Sequence, residues 1–345
     1  MRRISALILV LLLIPVLCGC SQEIENYAIV AGAALDVSEQ GLRLTVEVAD
    51  VSSGNADSSG QSLLFSADGA DVAEAQKALE RRMGKPLYWD HASIILLSRP
   101  LCQRGLESAV VWIMSSQAVR ISVPLAVCEG SAEQVLATHL DPYKTTAFGL
   151  RSMLGNNAER GIGLALPVYR FYNRMQAHGH CTLLPMLALE EDEPTQIGSA
   201  VIKDYRFVTT LSPEQTQIYS LLTEPVRSAL LSVSRITVRT ERTAASLTLK
   251  EGKCRFSVRL AGVLDQGVLP KGEDPKQLLS RELIGQAQAL VAVSKQLNCD
   301  FLRLNDAAYK AHPKDFTERA VADFSVEIVT DIHIYDYGQA QAWEN

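Results

Sequence analysis

The first twenty residues constrain this chain most, because they set where the folded part begins and on which side of a membrane it lies. Met1-Arg2-Arg3 is a short basic start, and Ile4 to Leu17 is apolar at nearly every position. A run of about fourteen such residues suits the hydrophobic segment of a signal peptide and falls short of the roughly 20 that a spanning helix needs. Leu17-Cys18-Gly19-Cys20 follows. A lipoprotein signal peptidase requires a small residue before its cysteine. Gly19 meets that requirement for Cys20, whereas Leu17 is too large to meet it for Cys18. Residues 1–19 are therefore expected to be a lipoprotein signal peptide, and Cys20 to become the lipidated first residue of the mature chain. Buried acyl chains contribute roughly 0.8 kcal/mol per methylene, and two or more make anchoring durable.

Cleavage there leaves residues 20–345 and lowers the formal net charge from −6 to −8, since Arg2 and Arg3 are lost. That length calls for two or three domains. An acidic chain without a Lys/Arg run argues against nucleic acid, which demands a basic surface. It also leaves membrane attachment to the acyl chains rather than to a polybasic segment. Cys102, Cys128, Cys181, Cys254 and Cys299 are widely spaced and odd in number, with no CxxC pair among them. A zinc knuckle or redox dithiol is not expected, no disulfide pairing is indicated, and Cys128 and Cys254 read as buried thiols in strands.

The pattern alternates between strand and helix periods throughout. Residues 27–37 and 42–51 read as strands, the second with Leu42, Leu44, Val46 and Val48 on one face. Residues 52–60 form a loop. Val72, Ala75, Leu79 and Met83 make one helix face with Gly84 as its stop. HASIILL reads as an interior strand. Leu106, Ala109, Val110, Ile113 and Met114 make a core-facing helix stripe. Ile121, Val123, Leu125 and Val127 alternate as a strand, with Pro124 pointing to an edge or bulge. Ser131 and Gln134 hold capping-box positions, and residues 144–154 and 167–177 read as helices. The acidic EEDEPTQ stretch, residues 190–196, marks an expected boundary between an N-terminal domain, 20–190, and a C-terminal one, 197–345. Beyond it come a strand pair turning near Lys203-Asp204, a helix starting at Pro213, up to three strands in 232–264, a loop, a long helix over 276–298 and a closing strand from Phe324. The expected class is α+β, with mixed, largely antiparallel sheets and packed helices in two to three domains.

Chemistry is sparse. His178-Gly179-His180-Cys181 is the one dense group of metal-ligand types, but no acidic or cysteine partner stands at a fitting distance, so no metal is expected. His91 precedes an apolar run and reads as a structural residue at a strand entrance. GNNAERGIG, residues 155–163, lacks the preceding strand and the Lys-Ser/Thr of a phosphate loop. No GxSxG, HExxH or SxxK occurs, and Glu190-Glu191 sits in the polar stretch. Neither a catalytic set nor a cofactor is expected, and the chain reads as a non-enzyme.

Several segments occur in an order that resembles one family. EIENYAIVAGAALDV follows the lipid cysteine. Tyr88 and His91 stand in LYWDHASIILLS as a Tyr-x-x-His before an apolar strand. CEGSAEQVLAT, GSAVIKDYRFVTTLSPEQTQIYSLL and LNCDFLRLNDAAYKAHPKDF follow, the last with Asp300 and Pro313 in place, and Gly338 closes the series. This layout resembles the C-subunit lipoproteins of nutrient germination receptors in endospore-forming bacteria, the Ger(x)C family. Trp89-Asp90 between Tyr88 and His91, and Phe301-Leu302-Arg303-Leu304 after Asp300, depart from the family pattern and mark a divergent member. The resemblance implies an α+β fold and a lipid anchor on Cys20 at the outer face of the spore inner membrane. It also implies assembly with membrane-embedded A and B subunits of one receptor that triggers spore germination. The alternative reading is a substrate-binding lipoprotein of a transporter, which would carry two doubly wound lobes.

Overall fold

The computed structural model describes residues 26–49, 62–233, 236–267 and 274–336. Cys20, the 52–60 loop, most of the loop before the long helix, and Gly338 lie outside the described residues.

A large mixed sheet forms the first part of the molecule. Strand β1 (Ala28–Ser38) turns into β2 (Gly41–Val48) and pairs with it antiparallel, and β3 (Leu63–Gly69) adds to β2. On its other side β1 runs parallel to β5 (Ile95–Ser98), β5 to β6 (Pro124–Cys128), and β6 to β8 (Cys181–Glu190). Two antiparallel strands, β9 (Glu193–Lys203) and β10 (Arg206–Leu211), complete that edge. Short strands β4 (Leu87–Tyr88) and β7 (Leu166–Pro167) pair with β1 and β6. The class is α+β as expected, with a parallel centre between antiparallel flanks.

Both faces of the centre are covered, which is why its strands read as near-continuous apolar runs. Helices α1 (Val72–Met83), α2 (Arg99–Arg104), α3 (Glu107–Ser115) and α6 (Val168–Gln176) pack on one face, where Leu35, Leu97 and Val127 point. The other face holds Ala34, Leu96 and Cys128 under α4 (Ala132–Leu136) and α5 (Thr146–Glu159). The expected stripes are buried: Val72, Ala75 and Leu79 on α1, and Ala109, Val110 and Ile113 on α3. Asp71 caps α1 through the Glu74 amide, and Gly84 ends it at φ 68°, a left-handed turn that suits glycine.

One expectation needs correction. β6 is interior, between β5 and β8, and all five of its residues are buried. Proline is tolerated there because Pro124 is the strand's first residue, where a ladder donor is dispensable. The acidic stretch after residue 189 is the turn of the β8–β9 hairpin, with Glu191 and Asp192 at φ 52° and 66°. The large sheet therefore continues through it as far as Leu211.

The second part is a four-stranded sheet in the order β11 (Leu230–Val233), β12 (Ile236–Lys250), β13 (Lys253–Gly267), β14 (Ser325–Asp336). β13 and β14 are parallel, joined by way of α8 (Pro275–Gln296) and α9 (Leu304–Ala311), because a parallel pair needs a long crossover. Leu279, Leu283, Ala287, Leu290 and Val291 of α8 pack onto this sheet with Phe256, Val258 and Ile328. The same core takes in Cys181, Leu183 and Val201 from β8 and β9, and Ile218 and Tyr219 from α7 (Pro213–Thr223). One hydrophobic core thus straddles the two sheets. Helix α7 starts in a complete Ser212–Gln215 capping box. Gly198 lets the chain approach that start: it sits at φ 127°, and a Cβ there would lie 2.1 Å from the Leu211 carbonyl oxygen.

Candidate functional site

Two places on this fold gather the residues that the sequence singles out. The first is the end of the large sheet where β1, β5 and β6 begin. Tyr88, on β4, donates its hydroxyl to Asp90 Oδ2 at 2.9 Å. That bond to a carboxylate raises the Tyr88 phenol above its ordinary pKa. The Tyr88 ring lies 5.7 Å from Tyr27 and 5.8 Å from His91, centre to centre. Trp89, between them in sequence, points the other way and is buried edge-on against Trp112. The Tyr-x-x-His segment therefore divides into a core anchor and a surface rim.

A cavity of about 480 Å³ opens beside that rim. His91, Arg120, Arg151 and Phe148 line it, together with the hydroxyl-bearing Ser122 and Thr145. Thr145 is already used, since its side chain caps α5 through the Phe148 amide. The first free amides of α5 are used too. The buried Glu47 carboxylate of β2 accepts from Thr146 and Ala147, both at 2.8 Å. Asp36 of β1 does the same for Ala132 and Glu133 at the start of α4, both at 2.9 Å. Helix N-termini favour such carboxylates electrostatically. Sequence reasoning missed Arg120 and Arg151, which lie 31 positions apart and meet only because β6 and α5 both start at this end.

The second place is the seam between the two parts of the molecule. His178 stacks 4.4 Å from Phe316 and 5.0 Å from Tyr309, with Glu318 Oε2 3.7 Å from its Nδ1. The Gly179 amide donates to Glu318 Oε1 at 3.1 Å. His180, at φ 43°, turns its Nδ1 to the Met175 carbonyl at 2.7 Å. Cys181 enters the core that also holds Cys299. The dense His-x-His-Cys group is thus split three ways, and among the described residues no three metal-ligating side chains converge.

Asp300 closes the seam from the C-terminal side. Its carboxylate accepts from the Leu304 and Asn305 amides, each at 2.8 Å, at the start of α9. Burial pushes its pKa up, against the lowering effect of those bonds. The Asn305 side chain in turn donates its Nδ2 to the Arg319 carbonyl at 3.0 Å and accepts at Oδ1 from the Arg319 amide at 2.9 Å. Gly179, at φ 83°, packs so tightly that a Cβ would lie 2.7 Å from Asp300 Cβ. Asp300 is a helix cap and joint rather than a ligand, and Pro313 lies in the exposed segment that follows α9. Nearby, Arg174 of α6 reaches Glu224 at 2.5 Å, Thr182 at 3.0 Å and Tyr219 at 3.1 Å, so one buried guanidinium ties α6, β8 and α7.

Cys102, Cys128, Cys181, Cys254 and Cys299 are all buried and unbridged. GNNAERGIG forms the end of α5 and its exit, where Asn157 bonds Gln196 across to β9. Glu190 and Glu191 lie exposed at the β8–β9 turn. Cys20 lies outside the described residues.

Residues 21–189 match the family described as spore germination protein N-terminal domain, and residues 197–338 match the family described as spore germination B3/GerAC-like, C-terminal. A curated relative, spore germination protein GerQC of Bacillus cereus, is 22% identical over 220 residues. That alignment spans 63% of this chain and 60% of the relative's length. The crystal structure of the GerBC protein superposes with a TM-score of 0.57 over 88% of this chain and 97% of that one, at 17% identity.

Proposed function

The chain belongs to the spore germination B3/GerAC-like family, and on that premise we propose that it is a lipid-tethered, non-enzymatic subunit of a nutrient germinant receptor. The observation that carries this reading is the pair of family matches, in order, over 21–189 and 197–338. Among the described residues no helix is long and apolar enough to cross a membrane, and attachment through lipid on Cys20 is read from the Leu17-Cys18-Gly19-Cys20 segment. The chain then works from the outer face of the spore inner membrane, beside membrane-embedded A and B subunits of the same receptor.

The mechanism is confinement and contact. Acyl chains on Cys20 hold the folded part in a thin layer, which raises its effective concentration at its partners without any new contact. The single core that straddles both sheets supports transmission as one unit. A substrate-binding lipoprotein would carry two doubly wound lobes. The described residues instead make one mixed sheet and one small sheet.

The test is nutrient-triggered germination of spores that lack this gene, complemented with the native gene or with Cys20→Ala at matched abundance. Loss of response to a nutrient, restored by the native gene alone, supports the tethered subunit. Full restoration by unlipidated Cys20→Ala removes the tether from the account.

A further inference from the structure

We infer that the Arg120–Arg151 rim is a docking face for acidic phospholipid in the membrane to which the chain is tethered, an inference that rests on the lipid-anchor reading of Cys20. Three observations meet at this rim. First, Arg120 and Arg151 line one cavity of about 480 Å³ with His91, and both arginines are exposed. Neither guanidinium makes an ion pair or hydrogen bond with another described residue, unlike those of Arg170 and Arg174. Asp90 also faces the cavity, but its carboxylate is held by the Tyr88 hydroxyl. The local balance is positive on a chain that is acidic overall.

Second, large apolar side chains flank these cations in the open. Phe148, in the cavity wall, is 53% exposed, and Ile121, next to Arg120 in the chain, is 50% exposed. The Tyr169 amide donates to the Ile121 carbonyl, and Tyr169 is itself 37% exposed. Guanidinium groups for phosphate, with aromatic and aliphatic groups for the acyl boundary, are the chemistry of a bilayer interface. A soluble anion would call for the first and not the second.

Third, the described chain starts here. Tyr27 packs on Tyr88 at this rim, and the Ala28 amide donates to the Pro86 carbonyl. Six Cα–Cα steps lead from Cys20 to Asn26, a reach of at most about 20 Å when fully extended. An acylated Cys20 therefore keeps this end of the molecule within about 20 Å of the lipid headgroups.

The experiment uses the full mature chain, purified with its lipid from its native membrane and reconstituted on two kinds of vesicle. One kind is phosphatidylcholine alone, and the other also contains phosphatidylglycerol. Flotation reads anchoring, and hydrogen exchange reads the rim. The expected result is flotation with both kinds, and exchange about tenfold slower on the anionic vesicles in peptides covering 118–123 and 145–151. Peptides of α8 should not change. The doubly substituted Arg120→Gln, Arg151→Gln chain should lose the difference while its α8 exchange stays native, which shows that it is folded. Flotation with both kinds but equal rim exchange overturns the docking face and leaves the anchor standing. Flotation with anionic vesicles alone supports the docking face and overturns the anchor. Flotation with neither overturns both. Equal slowing by sn-glycerol 3-phosphate in solution overturns docking in favour of a soluble-anion site.

Discussion

Removing Glu224 should destabilise the protein more than any surface charge would. Arg174 is 9% exposed, and its guanidinium is held by Glu224 at 2.5 Å, by Thr182 and by Tyr219. Glu224 also takes Arg170 at 2.8 Å. Glu224→Ala leaves the Arg174 charge buried with two neutral hydroxyls, which cannot neutralise it. Breaking a buried pair from one side costs about 3–5 kcal/mol, whereas exposed pairs contribute about 0–1 kcal/mol. For a chain of this size about 3 kcal/mol lowers Tm by roughly 4–5 °C. The control is Arg227→Ala, whose partner Glu159 is 3.4 Å away and mostly exposed; Tm should stay within about 1–2 °C. The decisive comparison is the double variant Arg174→Met, Glu224→Leu. It removes both charges and should recover most of the loss, because an apolar replacement of a buried pair is often neutral. Tm is read by differential scanning fluorimetry, with far-ultraviolet circular dichroism to verify the fold. If Glu224→Ala behaves like Arg227→Ala, or if the double variant is at least as unstable as the two singles combined, the buried-charge reasoning is wrong.

Three further outcomes follow from the geometry. Gly198→Ala adds a Cβ 2.1 Å from the Leu211 carbonyl at φ 127°, so it should lose about 2 kcal/mol or more and give low soluble yield. Burial raises the folded pKa of Asp300 above its unfolded value. Its contribution is then fully present below about pH 4 and fades as pH rises through the folded pKa, so Asp300→Asn should flatten that part of a stability–pH profile. Burial pushes the Cys254 thiol up to about 11 and drives Cys102 and Cys128 higher still, so iodoacetamide at pH 8 should label these three only after denaturation, read by peptide mass spectrometry.

Much of the fold is legible in the sequence wherever one face is buried and the other wet. The β1–β2 hairpin, α1, α3, α7 and α8 carry clean periods and caps, and they lie where the pattern puts them. It is less legible where one composition serves two geometries. Pro124 looks like an edge marker, yet a strand's first residue needs no ladder donor. The acidic, proline-broken stretch falls between the two family matches, and the chain crosses it as a hairpin with Glu191 and Asp192 in its left-handed turn. His178 and His180, for which no metal is expected, stand two apart in sequence, and their side chains take separate partners across the positive φ of Gly179 and His180. Tyr88 and His91 are visible as a motif, whereas Arg120 and Arg151 are brought to them only by topology. Asp300 shows the reverse: the motif residue is plain in the sequence, but its work is to cap α9 at a seam.

The most direct test of the tethered-subunit reading is affinity capture of the tagged native chain from detergent-solubilised spore membranes, with mass spectrometry of the mature N-terminal peptide. The expected result is co-purification with two multispanning membrane proteins in fixed proportion, and an N-terminal peptide that begins at a diacylglyceryl-modified Cys20. Recovery of the chain with a permease and an ATPase, or with an unmodified Cys20 and no membrane partner, would contradict it.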